Sequence, residues 1–586
     1  MKKFTLGVLS VAVAASFISP AEATVFTFQQ VETPEQVRHL FPTDINDNRH
    51  VTELGQFPTD LEIDLTKLQP STLASIGINP ELEDEELADY SLSYGQYTAL
   101  IETLRDRASP QLRNPRISYH FAGYFDGQTV TFNDFFNDTD PETPELANTA
   151  DHYFYALNNN NARVGWGTAP YRYESFTYTT DGDDPETITY EAAERDFTRQ
   201  AMWSDGTQTK TYPAPEQAYL GGETAMMDIN DFNVAVGFAS MALSPNAVKV
   251  GEQCETAIED GSAVRSVYGC MWQRWFSLTN SVASNLQNFY SRTSIASNQS
   301  IYDMQAAVWQ LDTDGSVIDV TYYPPLMERA EEDEGDFSSY AFAINNNGIA
   351  VGQSWTYYEG VAEPGRRIKL PAIFRDGETL PITGITENRD YLWGSATDIN
   401  DENEVVGFVI RSIQGIQRYV GFKYDLDTDT FVELPGFFTG SSTIPTAINN
   451  SGVIVGTAEI EASLSTQRRR VGFRFDSRVA DALFVDLNNT VDCDAGLFIA
   501  TAEGINNNGV IAATTINEEE IVDDQGNTRD EQRAKTVILD PTAGEPNQCS
   551  VTDERVEREG AAIGFGGLFT MFLIGGLITV RRWIKA

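Results

Sequence analysis

"SYAFAINNNGIAVGQS", residues 339–354, sets an alternating apolar stretch against three asparagines and a glycine, then resumes the alternation. The same turn recurs as "INDNR" at Ile45, "LNNNN" at Leu157, "INDFN" at Ile229, "INDEN" at Ile399, "INNSG" at Ile448 and "INNNG" at Ile505. Its fifth position is Asn161, Asn233, Gly348, Asn403, Gly452 or Gly509 in six copies, the residue types that tolerate positive φ. Such a residue between two short strands predicts a tight hairpin. The asparagine after each Ile or Leu (Asn46, Asn158, Asn230, Asn345, Asn400, Asn449, Asn506) is suited to bond its own backbone as an Asx-turn.

A second pattern follows most turns: "QAMWSDG" from Gln200, "AAVWQLDTDG" from Ala306, "PAIFRDG" from Pro371, "VGFKYD" from Val420 and "VGFRFD" from Val471. An apolar strand running into an acidic turn reads as a second hairpin, so each repeat holds about four short strands. A unit this small cannot bury its own faces, and stacking around a ring solves that problem. The expected class is all-β: a β-propeller of about seven four-stranded blades, with six or eight open, carrying a small helical insertion and a C-terminal transmembrane helix. A linear solenoid or a string of β-sandwiches is the competing architecture. From Asn345 the turn asparagines recur after 55, 49 and 57 residues, whereas the earlier gaps of 112, 72 and 115 imply insertions, placed at about 50–150 and 238–305.

The chain ends suggest an address. Residues 1–23 carry Lys2 and Lys3, an apolar run and a small-residue cleavage pattern at Ala21 and Ala23, as a signal peptide does. Residues 560–580 include a charge-free stretch from Ala561 to Val580, followed by Arg581, Arg582 and Lys585 in a basic tail, 581–586. The expectation is an extracytoplasmic repeat domain, 24–559, exported through the inner membrane to the periplasmic or cell-surface side and held by one C-terminal helix. Forty basic against 86 acidic residues give a formal charge of −46, which repels nucleic acid. In an oxidising compartment the four cysteines pair most simply as Cys254 with Cys270 and Cys493 with Cys549, the second bridge bracketing the last repeat.

Residues that depart from the repeat are where function is sought. "YTALIETLRDRA" predicts a helix with Tyr97, Leu100, Ile101 and Leu104 on one stripe. Trp272, Trp275 and Phe276, read as part of an extended loop, are placed to stack a sugar or peptide. "DINDFN" and "DINDEN" put Asp228, Asn230, Asp398 and Asn400 at alternate positions, as calcium loops do, so calcium is the one cofactor the turns allow. The four histidines all precede residue 153, and GxSxG, HExxH and phosphate-binding glycine loops are missing, which disfavours triad and zinc chemistry. Among 86 acidic residues a glycosidase-type pair has no signature of its own.

The coupling of "AINNNGIAVG" to a later "AIFRDG" resembles the bacterial extracellular repeat family named for its His-Ala-Phe tripeptide; Gln200-Ala201-Met202 and Pro371-Ala372-Ile373 stand where that tripeptide would be. The chain from signal to anchor is similar to an uncharacterised family of envelope proteins of marine γ-proteobacteria. The resemblance implies repeats from about Pro42 to Thr514 and supplies no catalytic residue. The resulting expectation is a binding or scaffolding protein of the cell envelope, its partner a glycan or another envelope protein. The alternative is a propeller-type glycan hydrolase or lyase using paired carboxylates.

Overall fold

The computed structural model describes residues 25–547, apart from 106–115, 138–144, 181–183, 281–299, 387, 463–467, 523–527 and 545. The expected signal peptide, the anchor with its tail, and Cys549 lie outside the described residues. Among the described residues no helix is long and apolar enough to cross a membrane.

Described strands form seven four-stranded antiparallel sheets and one two-stranded hairpin. Six sheets are continuous in sequence: blade 1 spans 37–132, blade 2 spans 152–212, blade 3 spans 224–323, blade 4 spans 339–381, blade 5 spans 391–433 and blade 6 spans 443–486. Blade 7 takes three strands from 499–542 and its outer strand, Val25–Gln30, from the start of the chain. Val25 faces Thr542 and Gln30 faces Val537, so the ring is closed by strand pairing between its two ends. The expected bridge from Cys493 to Cys549 has its second cysteine outside the described residues. Cys493 is disulfide-bonded, and its side chain sits in the connection from blade 6 to blade 7.

The core lies between blades. One apolar layer joins Ala343, Val351 and Ile373 of blade 4 to Ala396, Val405 and Phe422 of blade 5, and another joins Val453 and Val455 of blade 6 to Ala502, Ile511 and Val537 of blade 7. Each sheet is therefore covered on both faces, which is why all six residues of Ser339–Ile344 are buried rather than alternate ones. The alternation is also broken by a register shift in every innermost strand, just ahead of the turn: between Pro42 and Asp44, Phe154 and Ala156, Met226 and Asp228, Ala341 and Ala343, Ala396 and Asp398, Pro445 and Ala447, and Ala502 and Gly504. The bulge pushes a carbonyl toward the second strand. A Cβ on Gly352 would lie 2.0 Å from Tyr340 O, and one on Gly456 2.2 Å from Ile444 O. This fixes the glycine of the recurring Val-Gly step.

The first hairpin of each blade is as expected. Positive φ occurs at all seven fifth positions, including Arg49 at 65°, the one copy without Asn or Gly. The patterns at Gln200, Ala306, Pro371, Val420 and Val471 all fall on third strands. Among the described residues the inserted helices and hairpins leave between second and third strands. In blade 1 the insertion is 59–119, narrower than 50–150, since Val51–Pro58 and His120–Phe125 belong to the blade. Its helix Tyr94–Leu104 buries Leu100, Ile101 and Leu104 against Phe57 and Tyr119, and Ser93 caps it. Blade 2 inserts the hairpin of Arg172–Thr179 and Thr187–Glu194, blade 3 the helices Pro245–Glu259 and Val267–Asn280, and blade 7 extends its own hairpin, Ile511–Val522 with Thr528–Thr542. In antiparallel blades the loop between strands two and three opens opposite the first turn. The propeller thus has a tight end and a decorated end.

Candidate functional site

At the tight end the seven turns are stitched to one another. The side-chain oxygen of Asn345 accepts from the backbone N–H of Asn347 and Ile349, the expected Asx geometry. Its amide then donates to Asn400 O of the next blade at 3.0 Å. The same bond runs Asn46 to Asn158, Asn158 to Asn230, Asn230 to Asn345, Asn400 to Asn449, Asn449 to Asn506 and Asn506 back to Asn46, all at 2.9 to 3.0 Å. Sequence reading found one role of these residues and missed the second, because a bond to a neighbouring blade has no local spacing.

A second ring lies one residue on. The backbone N–H of Asp47, Asn159, Asp231, Asn346, Asp401, Asn450 and Asn507 each donates to the side-chain oxygen of its neighbour, at 2.8 to 3.0 Å, and the last returns to Asp47. Carboxylates and amides alternate from Asp47 to Asn450, Asn450 and Asn507 being adjacent amides, and each carboxylate accepts amide N–H bonds from both sides; Asp401, for example, receives Asn346 at 3.1 Å and Asn450 at 2.9 Å.

The carboxylates expected to hold calcium are spent in this scaffold. Asp228 accepts from its neighbour Ile229 N at 2.8 Å and from Ile344 N of blade 4 at 2.8 Å; Asp398 accepts from Ile399 N at 2.8 Å and Ile448 N of blade 6 at 2.7 Å. Asn230 and Asn400 belong to the first ring. Among the described residues no three His, Cys, Asp or Glu side chains cluster as a metal site would require.

At the decorated end Cys254 and Cys270 join the two blade 3 helices, as expected. The aromatic trio is corrected: Trp272, Trp275 and Phe276 lie on the helix Val267–Asn280, not on an extended loop. Trp272 is 1% and Trp275 8% exposed, and Trp272 stacks on half-buried Phe276, so the two tryptophans seat the helix. Trp275 Nε1 donates to Glu223 at 2.8 Å, Ser300 Oγ donates to the same oxygen at 2.9 Å, and Arg199 pairs with Glu223 at 3.2 Å.

A second buried carboxylate, Asp336, accepts from Ser338 and Trp355 and faces Arg367 at 3.6 Å. Burial raises its pKa, and burial also lowers that of Lys369 to about 7; the Lys369 ammonium lies over Trp355 at 4.5 Å and Tyr340 at 5.0 Å. Ser244, Asn246, Arg274, Ser300 and Asp336 border a cavity of about 30 Å³. That volume suits a water rather than a sugar ring. Glu223 and Asp336 thus face internal cations, Arg199 for the first and Arg367 and Lys369 for the second. The histidines are dispersed: burial lowers His39 and His152 to about 4, His39 Nδ1 accepting from Ala534 N and His152 Nε2 from Phe136 N, while His50 contacts Tyr124 and His120 faces Asp151.

No curated protein matches the chain. Among solved structures it is similar to PorZ, described as an essential bacterial surface component of the type-IX secretion system of Porphyromonas gingivalis, at 10% identity and a TM-score of 0.27, over 67% of this chain and 45% of that one. The chain thus matches less than half the length of PorZ. It is also similar to YjhT at 10% identity and a TM-score of 0.25, over 62% of this chain and 91% of that one. The family model described as "Protein of unknown function (DUF3466)" matches residues 2–583, and the chain belongs to that family.

Proposed function

We propose that this protein is a binding or scaffolding propeller of the cell envelope, exported by its N-terminal signal, anchored by its C-terminal helix and engaging a glycan or an envelope protein. The observation that carries the reading is the asymmetry of its two ends. Every large insertion among the described residues leaves between second and third strands, and the opposite end is committed to inter-blade bonding. Variable loops on a rigid scaffold are where recognition concentrates. The blade 2 hairpin adds half-buried Phe176, Tyr178 and Tyr190 to this end, and Tyr190 reaches Val264 of the blade 3 insertion. A surface charged at −46 selects against nucleic acid. The repeats resemble the extracellular type named for His-Ala-Phe, and Gln200-Ala201-Met202 and Pro371-Ala372-Ile373 fall on equivalent third strands, which supports the reading.

The test is a screen of the protein against purified envelope glycans, following binding and product release together. Saturable binding without new reducing ends or unsaturated products supports the module. Bond cleavage replaces it with the hydrolase or lyase reading.

A further inference from the structure

The outermost strands of the blades are edges, and edges are normally blunted. Here they are three residues long in blade 1, four in blades 2, 4 and 5, and two in blade 6. Lys210 lies on the blade 2 edge and Pro381 ends that of blade 4. The six-residue edge of blade 7 is partly covered, since Phe26 N donates to Thr490 O at 2.8 Å.

Blade 3 is different. Its outer strand, Val317–Tyr323, runs seven residues without Lys, Arg, Pro or Gly, with one register shift that leaves Ile318 unpaired and regular pairing from Asp319 to Tyr323. Val317 is 46% and Ile318 65% exposed. Among the described residues no hydrogen bond reaches the Val317–Tyr322 backbone from outside its own blade. Toward its C-terminal half the strand is anchored, Val320 and Tyr322 packing against the layer that holds Trp203 and Tyr212 of blade 2. The flanking sequence is acidic: Asp312 and Asp314 precede the strand, Asp319 lies on it, and Glu328, Glu331 and Glu332 follow it in the chain. Lys210, which reaches this end, is paired with Asp314 at 3.1 Å.

We propose that the outer edge of blade 3 is a strand-addition site for an extended, lysine- or arginine-bearing segment of a partner protein. A free strand edge supplies the backbone donors and acceptors, exposed Val317 and Ile318 supply apolar contact, and the flanking carboxylates select positive charge. The net charge of −46 opposes a second copy of this chain at the same edge.

The test uses the full chain with the synthetic peptide Lys-Val-Lys-Val-Thr-Val-Lys, read by amide hydrogen exchange and by titration. Expected are at least tenfold slower exchange confined to Val317–Tyr322, at least tenfold weaker binding of the glutamate-for-lysine peptide, and at least tenfold weaker binding to Ile318→Lys. Ile318→Lys changes an exposed side chain, and its melting temperature checks its fold; Val432→Lys, on the blade 5 edge, should bind the peptide as the parent does. Equal binding by parent and Ile318→Lys, equal loss in Val432→Lys, or equal affinity for the acidic peptide overturns the assignment. Concentration-dependent protection of the same amides without peptide would give the edge to a second copy and overturn it as well.

Discussion

The side-chain amide of Asn506 donates to the backbone carbonyl of Asn46 at 2.9 Å, across 460 residues of sequence. It is the last of seven such bonds and joins the final blade to the first. Asn506 is buried, and its Oδ1 also accepts from Asn508 N and Val510 N. Asn506→Ala removes both functions and should lower stability by about 1 to 3 kcal/mol. Asn506→Asp keeps the acceptor and loses the inter-blade donor. Denaturant midpoints should place both variants below the parent; parity of the aspartate variant with the parent would assign the whole effect to the local turn.

The two glycine classes should respond differently. Gly348 has φ 79° and open space where a Cβ would go, so Gly348→Val costs backbone strain, about 1 to 3 kcal/mol. Gly352 has no such freedom: its Cβ would meet Tyr340 O, and Gly352→Ala should cost more than about 3 kcal/mol. Thermal melting of the two variants ranks them, and the reverse order would contradict the bulge as the origin of the Val-Gly step.

These glycines also mark what the sequence makes legible. The Ile-Asn turn, its positive-φ position and the third-strand pattern are local, and they suffice for seven blades. Ring closure is not local: Val25–Gln30 resembles no repeat of its own, because it is the fourth strand of a blade whose other three strands lie more than 450 residues away. The aromatic trio misled for a related reason. Trp272, Trp275 and Phe276 at spacings of three and four fit a buried helical stripe as well as a binding loop, and the partner that decides, Glu223, is 52 residues from Trp275.

An odd ring cannot alternate perfectly. Asp44, Asp228 and Asp398 in blades 1, 3 and 5 each bridge to a backbone N–H of the following blade, and blades 6 and 7, with Ala447 and Gly504, are left adjacent without an acid. Ala447→Asp should supply the missing acceptor to Ile505 N and stabilise by about 1 kcal/mol, whereas Asp398→Ala should destabilise by about 1 to 3 kcal/mol. Calcium should leave the melting temperature of the parent unchanged, since the oxygens of Asp228 and Asp398 already accept backbone bonds. A calcium-dependent rise lost in Asp228→Ala would restore the cation reading.

Glu53 gives a pH signature. It is fully buried, accepts from Thr536 Oγ1 at 2.5 Å, and burial pushes its pKa up from 4.5 to about 8. Between those values the folded state holds a proton that the unfolded state releases, so this group's contribution is complete below about pH 4.5 and declines up to about pH 8. The slope reaches about 1.4 kcal/mol per pH unit. Glu53→Gln removes it: the stability of the variant relative to the parent should grow as pH rises from 5 to 8 and then level off. A difference independent of pH would show that Glu53 titrates normally.

The seven-bladed ring is closed by the first strand of the chain. Thr27 and Asp540 are directly opposed across that closure, and both side chains lie outside the core. Replacing Asp540 gives up an ion pair to Arg49 that is partly exposed and so of small worth. In the double variant Thr27→Cys, Asp540→Cys, non-reducing peptide mapping of the folded, air-oxidised protein should recover a fragment linking positions 27 and 540. Two free thiols in the folded protein, or cysteine 27 joined to another part of the chain, would contradict the closure.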